Sequence, residues 1–438
     1  MVRLAVVGSS PLHGTIRING AKNACLPIMA ASIMTEGRSV LMDVPCLADV
    51  HAMGDILRAL GVSVQRLTDK RLSLEVTGDD QCACPHDKGI AMRASICVLG
   101  PLLARRGEAL VPIPGGCVLG DRPIDLHLKG LKALGATIRK ENGLIHAFAE
   151  RLRGATIYLG GPRGSTCLGT ANVMMAATLA EGTTVIEHAA CEPEIKDLAA
   201  YLNACGARIS GAGTSTVTIE GVERLTGCTH TVIPDRIEAG TFAAVAAITG
   251  GEIVLENVCP SHMAATLDVM DRMGVGFEAQ GTTMRVWRDG PLRATDVNAL
   301  PYPGLPTDMQ PQLMAMLTVA EGVSLVTDMV YPERFAQVAE FNRLGADITR
   351  EGPRAVVRGP ARLTGAPVRA HDLRGGAGLI LAGLAAEGIT EVEDLWHVDR
   401  GYEWIEERLR AVGAGVARVG STPVAPGQTE LFRLRAAS

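Results

Sequence analysis

The sequence predicts an α/β protein of six related units, with three units in each of two lobes. Two series of glycines, each following a helix-like stretch, recur at nearly constant spacing along the chain. β-branched runs such as TTVIE and EIVLE follow several of these glycines and are typical of strands. Each unit is therefore expected to alternate helix, strand and helix, and a ligand site is expected between the lobes because domain interfaces supply concave pockets.

The two glycine series define the units. The first series is Gly61, Gly135, Gly206, Gly274, Gly345 and Gly413, at intervals of 74, 71, 68, 71 and 68 residues. The second series is Gly37, Gly107, Gly182, Gly251, Gly322 and Gly388. Glycine adopts the left-handed conformation that ends a helix without the steric cost of a side chain, so each member is predicted to cap a helix. The unit length exceeds that of solenoid repeats, which favours the two-lobed arrangement.

Composition and charge exclude several classes of protein. The 438-residue chain has a formal net charge of −5, whereas a nucleic-acid-binding surface usually carries a basic excess. Hydrophobic residues make up 47% and aromatic residues 3%, so the core is expected to consist mainly of aliphatic side chains. The N-terminal apolar run is too short for a signal peptide, and no stretch approaches the roughly 18 apolar residues of a membrane span. A cytoplasmic protein that binds neither membrane nor nucleic acid is expected.

The 11 cysteines are expected to be reduced thiols, since their number is odd and no export signal is present. Cys82 and Cys84 lack a second pair at zinc-ligand spacing, so no metal site is expected. The loop PIPGGCVLGDRP places Cys117 after two glycines and near Arg122, a setting that favours a reactive thiol. The alternative is that Cys117 is a small hydrophobic residue. Four cysteines lie in apolar or helical runs and are assigned to packing: Cys25, Cys97, Cys167 and Cys205.

Charged side chains cluster beside Gly and Pro in similar settings across the units. The basic members are Lys22, Arg93, Arg122, Arg334, Arg374 and Arg400. The polar and acidic members are Asn23, Asp125, Asp308, Glu333, Asp372 and Asp399. Because a guanidinium group binds phosphate and carboxylate bidentately, this set predicts a substrate with several such groups. Two alternatives stay open: Asp399 and Arg400 as a surface ion pair, and Lys22 with Asn23 as part of a turn.

Several of these motifs, taken in order, resemble the enolpyruvyl transferase family. They include INGAKNACLPIMAASIMTEG, PGGCVLGDRPIDLHLKGLKALGA, PYPGLPTDMQPQ and DRGYEWIEERLRAVGA, and the match runs nearly end to end. The resemblance implies two inside-out α/β barrel lobes of three units each. It places one lobe at residues 22–232 and the other at residues 1–21 with 233–438.

The resemblance also implies a reaction between phosphoenolpyruvate and UDP-N-acetylglucosamine, without a metal or cofactor. Asp308 resembles the family's base, and Cys117 resembles its acid. Lys22, Arg122 and Arg400 are implied to hold the phosphate, Arg334 and Arg374 the carboxylate, and Asp372 to shape the site. The implied contacts of the nucleotide-sugar are Asn23, Arg93, Arg122, Pro123, Ile124, Asp125, Leu126, Asp308 and Val330.

One stretch departs from the family pattern. Where a short Ser-Val-Gly-Ala-Thr-like run is usual, this chain has GGPRGSTCLGTAN, so Arg163, Ser165 and Thr166 are candidate sugar contacts without a settled register. Two alternatives follow: a transferase acting on another uridine nucleotide in an antibiotic pathway, and a non-catalytic paralogue that binds nucleotide-sugar. The shikimate-pathway relative is disfavoured by Cys117 and the RPIDL match. The oligomeric state is left open by the sequence.

Overall fold

The computed structural model describes residues 2–8, 11–115 and 123–420. Its helices are α1 (Lys22–Ala31), α2 (Ala48–Ala59), α3 (His86–Ala91), α4 (Leu99–Arg106), α5 (Asp125–Ala133), α6 (Cys167–Ala177), α7 (Pro193–Ala204), α8 (Arg236–Thr249), α9 (Ala264–Arg272), α10 (Gln310–Thr318), α11 (Gln337–Arg343), α12 (Leu373–Ala385), α13 (Trp396–Asp399) and α14 (Ile405–Ala411). Short 3₁₀ helices lie at Ser32–Met34, Arg93–Val98, Pro260–Met263 and Thr307–Met309.

The strands are short and spread along the whole described chain. They are β1 (Arg3–Val7), β2 (His13–Arg17), β3 (Thr35–Glu36), β4 (Arg38–Met42), β5 (Val62–Thr68), β6 (Arg71–Val76), β7 (Glu108–Pro112), β8 (Thr137–Glu141), β9 (Leu144–Phe148), β10 (Thr156–Tyr158), β11 (Thr183–Glu187), β12 (Arg208–Ser210), β13 (Thr216–Glu220), β14 (Leu225–Thr226), β15 (Thr229–Thr231), β16 (Glu252–Glu256), β17 (Val275–Gln280), β18 (Thr283–Arg288), β19 (Val297–Ala299), β20 (Gly322–Asp328), β21 (Asp347–Glu351), β22 (Arg354–Gly359), β23 (Pro367–Arg369), β24 (Ile389–Glu393) and β25 (Val416–Val419).

The same small sheet occurs repeatedly in the described residues. Five sheets have four strands, in the orders β15-β4-β6-β5, β10-β11-β13-β12, β17-β18-β16-β2, β19-β20-β22-β21 and β23-β24-β1-β25. A sixth has the order β7-β9-β8, and β14 pairs with β3 alone. In each four-stranded sheet one edge strand runs parallel to its neighbour, and the other pairs are antiparallel. This repetition confirms the predicted α/β fold of related units.

Each of the six repeated units contributes one buried helix and one helix nearer the surface. The inner helices are α1, α4, α6, α8, α10 and α12, and the outer helices are α2, α5, α7, α9, α11 and α14. The sequences of α8 and α10 are apolar or small on nearly all sides, and every residue of both is buried, as expected of a core helix. The outer helices keep an exposed polar face, for example in α9.

Two compact units are found in the described chain: residues 20–115 with 123–233, and residues 2–8 and 11–19 with 234–420. Each has its own hydrophobic core of aliphatic side chains. In the first, α6 packs against α1 and α4; in the second, α8, α10 and α12 pack on one another. Among the described residues, no helix is both long and apolar enough to cross a membrane.

The first glycine series ends the outer helices as predicted. After the last residue of each outer helix comes one further residue, and a glycine of the first series directly follows that residue. All six glycines have positive φ, with values of +79°, +99°, +105°, +93°, +95° and +96°. This is the position at which a left-handed residue ends a helix, so this part of the prediction is confirmed.

The second glycine series needs two corrections. Gly107 caps α4 with a left-handed backbone, as predicted. At the end of α8 the left-handed cap is Gly250 (φ +70°), so the assignment to Gly251 was wrong. The other four members, Gly37, Gly182, Gly322 and Gly388, have positive φ but lie three to six positions after the last residues of α1, α6, α10 and α12, at the turns into the next strands.

Candidate active site

Four of the charged residues singled out from the sequence lie where inner helices begin. Lys22 is the first residue of α1, and Arg374 is the second residue of α12. Arg93 opens the 3₁₀ helix that leads into α4, and Asp308 lies in the 3₁₀ helix that leads into α10. The repeat therefore places these side chains at corresponding points of the fold, which explains their similar settings in the sequence.

Asp308 is held between two buried arginines. Arg334 Nη1 donates to Asp308 Oδ1 at 2.7 Å, and Arg374 Nη2 lies 3.3 Å from Asp308 Oδ2. Both guanidinium groups are buried, whereas the Asp308 side chain keeps 24% of its surface exposed. Both arginines donate charge-assisted hydrogen bonds to this carboxyl group, which are among the stronger hydrogen bonds in proteins. The cluster thus presents a partly accessible carboxylate beside two cations.

A second carboxylate supports this cluster and was missed by the sequence analysis. Thr307 donates its hydroxyl to Asp328 at 2.6 Å, and Arg334 Nη1 lies 3.1 Å from the same hydroxyl. Burial raises the pKa of Asp328, although the hydrogen bonds that it accepts oppose this shift. Asp328 also accepts from the backbone N–H groups of Val330 and Tyr331 at 3.0 and 2.7 Å. The backbone of Val330, a predicted sugar contact, is therefore fixed two residues after β20 ends.

Arg374 is also fixed from the side of the core. Its guanidinium carbon lies 5.3 Å from the centre of the Tyr402 ring, and the Tyr402 hydroxyl lies 2.8 Å from Thr241 Oγ1. Gln312 Nε2 donates to the same hydroxyl at 3.2 Å. Burial disfavours the charge of Arg374, but Tyr402 and Asp308 outweigh it and raise the pKa of Arg374. Tyr402 was not identified from the sequence, because its role depends on residues far away in the chain.

Asp372 shapes the start of α12. Its Oδ1 accepts from the backbone N–H groups of Arg374 and Gly375 at 2.9 and 3.1 Å, which is the usual N-cap interaction. The same oxygen lies 3.8 Å from Arg334 Nη2. Asp372 therefore links the backbone that carries Arg374 to the side chain of Arg334, as a residue that shapes the site would.

Lys22 is a buried cation with a buried partner. Its Nζ lies 2.9 Å from Asp49 Oδ2 in α2, and both side chains are less than a tenth exposed. Since Lys22 opens α1, the alternative of a turn at Lys22 and Asn23 is wrong. The side chain of Asn23 is exposed. Asp49 was not identified from the sequence. The one sequence feature that pointed to it was an acidic residue in the first turn of the predicted helix α2.

Arg93 and the segment 123–126 lie together. Arg93 Nη2 donates to the Pro123 carbonyl at 3.4 Å. Ile124 is the residue before α5, Asp125 opens that helix with its side chain exposed, and Leu126 is half-buried. Five of the predicted nucleotide-sugar contacts, Arg93, Pro123, Ile124, Asp125 and Leu126, are therefore neighbours in the structure.

The stretch that departs from the family pattern approaches this segment. A Cβ on Gly161 would lie only 3.1 Å from Leu126 Cδ1, so the turn at Gly161–Gly164 runs close to the start of α5. Arg163 in this turn is exposed, and Ser165 is half-buried. Thr166 precedes α6 and accepts from the backbone N–H of Gly169 at 3.2 Å, so its hydroxyl caps that helix.

Asp399 and Arg400 lie at the end of α13 but do not pair with each other in the part of the chain that the structure describes. Arg400 directly follows α13 and is half-buried. Asp399 pairs with Arg418, whose Nη1 and Nη2 lie 3.0 and 2.5 Å from its carboxylate oxygens, so the alternative of an Asp399–Arg400 pair is not what the structure has. Cys117 and Arg122 lie outside the described residues.

One further buried cation occupies an equivalent position. Arg236 is the first residue of α8, and its guanidinium carbon lies 5.3 Å from the Tyr302 ring centre. Asp235 caps the helix by accepting from the backbone N–H groups of Ile237 and Glu238. The signal for Arg236 was its place in the repeat, since it begins an inner helix as Lys22 does.

Comparison with known proteins places these observations in a family. Residues 6–409 match the family described as EPSP synthase (3-phosphoshikimate 1-carboxyvinyltransferase). A UDP-N-acetylglucosamine 1-carboxyvinyltransferase of Methylacidiphilum infernorum is 50% identical over 96% of this chain and 100% of its own length. One from Akkermansia muciniphila is 47% identical over 96% of this chain and 99% of its own.

Solved structures agree on the fold. The enolpyruvyl transferase NikO from Streptomyces tendae superposes with a TM-score of 0.86 at 25% identity, covering 96% of this chain and 99% of that one. EPSP synthase from Acinetobacter baumannii superposes with a TM-score of 0.73 at 18% identity, covering 96% of this chain and 100% of that one, which is a likeness of fold alone. The chain therefore belongs to the carboxyvinyltransferase family that includes EPSP synthase and the UDP-N-acetylglucosamine 1-carboxyvinyltransferases.

Proposed function

We propose that this protein transfers the enolpyruvyl group of phosphoenolpyruvate to the 3-hydroxyl of UDP-N-acetylglucosamine and releases phosphate. The observation that carries this proposal is the 47–50% identity, over nearly the whole chain, to relatives that bear the name of this activity. The reaction would be the first committed step of peptidoglycan synthesis, in the cytoplasm. In the same proposal, residues 22–232 form one domain, and residues 1–21 with 233–438 form the other.

The chemistry requires an acid, a base and several fixed cations. Protonation of the vinyl carbon of phosphoenolpyruvate makes its neighbour electrophilic, the sugar hydroxyl adds there, and the adduct then loses phosphate. We assign the base to Asp308, because it is a carboxylate with 24% of its side chain exposed and its orientation is fixed by two hydrogen-bonding arginines. A positioned base of this kind contributes roughly 10²- to 10⁴-fold. The acid is assigned to Cys117.

The two arginines beside Asp308 have donors left for an anion. Arg334 Nε and Arg374 Nη1 are buried and have no hydrogen-bond partner within the described chain. An unsatisfied buried donor costs free energy, so a carboxylate that accepted from these atoms would be bound favourably. We propose that the carboxylate of phosphoenolpyruvate is that anion, with Asp372 keeping both arginines in place.

The phosphate is assigned to Lys22, Arg122 and Arg400. Lys22 supports this role because its ammonium group is buried and is held in position by Asp49, whose Oδ2 lies 2.9 Å away. The nucleotide-sugar is assigned to Asn23, Arg93, Val330 and the segment 122–126. The contact of Arg93 with Pro123 and the closeness of Gly161 to Leu126 support this group as one recognition surface.

A phosphate-release assay tests the proposal. Purified protein would be incubated with phosphoenolpyruvate and, in separate reactions, UDP-N-acetylglucosamine, UMP or shikimate 3-phosphate. Release only with UDP-N-acetylglucosamine is the expected result. Release with UMP would favour a uridine-nucleotide transferase of another pathway, and nucleotide-sugar binding without release would favour a non-catalytic paralogue.

A further inference from the structure

Two thiols lie side by side in the unit of residues 20–115 and 123–233. Cys205 Sγ is 3.5 Å from Cys228 Sγ, and both cysteines are free. Cys205 directly follows α7 and is buried, whereas Cys228 directly precedes β15 and is half-buried. Assigning Cys205 to packing was therefore incomplete, and Cys228 had no role in the sequence analysis.

The surroundings make the two sulfurs unequal. Cys205 donates its S–H to Cys228, and this hydrogen bond lowers the pKa of Cys228 to about 7 despite its partial burial. His230, two residues further on, acts in the same direction. The same hydrogen bond and burial raise the pKa of Cys205. Because the thiolate is the nucleophilic form of cysteine, the more accessible sulfur is also the more reactive one.

We propose that Cys228 and Cys205 form an oxidative modification site, at which a hydroperoxide converts the two thiols into a disulfide. Cys228 sulfur attacks one oxygen of the peroxide, the O–O bond breaks, and the alcohol (water, for hydrogen peroxide) leaves with the Cys228 proton. Cys205 sulfur then attacks the sulfenic sulfur of Cys228, the S–S bond forms, and water leaves with the Cys205 proton. The two sulfurs lose two electrons, which the peroxide gains.

The backbone around both residues suits this reaction. The Cys205 carbonyl accepts from Thr226 N at 2.8 Å, and the Cys228 carbonyl accepts from Val40 N at 2.8 Å. The first bond holds the end of α7 beside Thr226, two residues before Cys228, and the second holds Cys228 against β4. A disulfide has an S–S distance of roughly 2.05 Å, so the two sulfurs have only a short distance left to close.

Graded oxidation of the full chain tests the site. Reduced protein is treated with increasing hydrogen peroxide, remaining thiols are alkylated, and non-reduced peptides are analysed by mass spectrometry. Linked Cys205 and Cys228 peptides are expected at about ten-fold lower peroxide than oxidation of Cys191, because thiolate content governs the rate. Cys191 is the matched control: it is also half-buried, but its pKa is raised by burial and its Sγ contacts the Ala189 carbonyl.

Two variants separate the steps. In Cys205→Ser, a sulfenic acid at Cys228 is expected to persist and to be trapped by dimedone; in Cys228→Ser, Cys205 is expected to stay reduced. Cys228 oxidised no earlier than Cys191, or oxidised to sulfinic acid without a linkage in the wild type, would overturn the proposal even if a variant fails to fold. Transferase activity is not a readout here, so the outcome is independent of the proposed function.

Discussion

Two of the inner helices differ from most outer helices in the charge at their N-termini. Acidic residues occupy the first turn of α2, α5, α7, α11 and α14, and basic residues occupy the last turn of α2, α5, α9, α11 and α14. The helix dipole favours this arrangement, so the outer helices follow the usual rule. Two inner helices reverse it, since Lys22 opens α1 and Arg374 lies in the first turn of α12. Arg236 opens α8 as well, but Glu238 also lies in the first turn of that helix.

The reversal separates residues that stabilise the fold from residues that serve a ligand. A cation at a helix N-terminus adds to the partial positive charge of the unpaired N–H groups, which opposes stability but favours binding of an anion. A carboxylate lies close to the cation at each reversed position: Asp49 Oδ2 is 2.9 Å from Lys22 Nζ, and Asp308 Oδ2 is 3.3 Å from Arg374 Nη2. Local departures from a stability rule, compensated in this way, are typical of functional sites.

Replacing Asp308, in the 3₁₀ helix that leads into α10, is expected to have the largest effect on catalysis. Asp308→Asn keeps the shape of the side chain but removes the charge between Arg334 and Arg374 and the proposed base. We expect kcat to fall by about 10²-fold or more, with little change in the affinity for UDP-N-acetylglucosamine. Steady-state kinetics and calorimetric titration of the nucleotide-sugar measure the two quantities.

The matched control lies on an outer helix. Asp268→Asn in α9 also removes an acid beside an arginine, but the Asp268 side chain is 70% exposed in its pair with Arg272. Exposed pairs contribute little, so kcat and stability should stay near the wild-type values. A variant at Asp308 with nearly normal kcat and only a raised KM would assign that residue to binding instead of proton transfer.

A buried histidine where outer helix α5 meets inner helix α6 predicts a loss of stability in acid. Burial, with Arg93 adding to it, lowers the pKa of His127 to about 3, and His127 Nδ1 lies 2.9 Å from Asn172 Nδ2. In the unfolded chain His127 takes up a proton near pH 6.5, whereas in the folded chain it stays neutral at that pH. The contribution of neutral His127 to the free energy of unfolding is complete above pH 6.5. It is lost as the pH falls from 6.5 towards 3, by about 1.4 kcal/mol per pH unit.

Urea unfolding at pH values from 7 to 4 measures this slope. His127→Gln retains an acceptor for Asn172 but takes up no proton, so its free energy of unfolding should fall less steeply with pH than that of the wild type. His146→Gln is the control, because His146 is 47% exposed beside Glu108. An unchanged slope in His127→Gln would show that other groups govern the acid sensitivity.

The partner of Lys22 is expected to have a smaller, selective effect. Asp49→Asn removes the carboxylate 2.9 Å from Lys22 Nζ and leaves the buried ammonium group less well positioned. We expect KM for phosphoenolpyruvate to rise by about ten-fold, with a smaller change in kcat. Asp55→Asn in the same helix is the control, since Asp55 forms exposed pairs with Arg58 and Lys88. Equal kinetics for the two variants would mean that Asp49 has no part in positioning Lys22.

The sequence predicted what depends on local geometry. The glycines that follow the outer helices were identifiable because the left-handed backbone at a helix end has a strong residue preference. Lys22, Arg93 and Arg374, at the starts of inner helices, were identifiable because they recur with the repeat, whereas Arg236 at the start of α8 was missed. Asp308, Arg334 and Arg374 were named as candidates, and the structure brings these three together.

The residues that were missed act through long-range contacts. Asp328 and Tyr402 support the cluster from positions 20 or more residues away from Asp308. Tyr402 lies in the DRGYE motif, but the sequence did not show that its ring faces Arg374. The error at Gly251 has a similar origin: two adjacent glycines are equivalent in sequence, but only Gly250 has positive φ. A Cβ on Gly251 would lie 2.0 Å from the Leu12 carbonyl oxygen, so close packing explains that glycine instead.

The smallest expected effect comes from the end of an outer helix. Gly206 follows α7 with φ of +105°, and a Cβ there would have no heavy atom within 4 Å. Any destabilisation in Gly206→Ala must therefore come from the backbone, since there is nothing to clash with, and we expect a loss of about 1 to 2 kcal/mol. Gly78→Ala is the control, because Gly78 also has open space around it but does not have positive φ. Chemical denaturation of both variants measures the difference. Equal losses would mean that the left-handed backbone is not what requires glycine at this helix end, and the repeat would then need another cause for its six regularly spaced glycines.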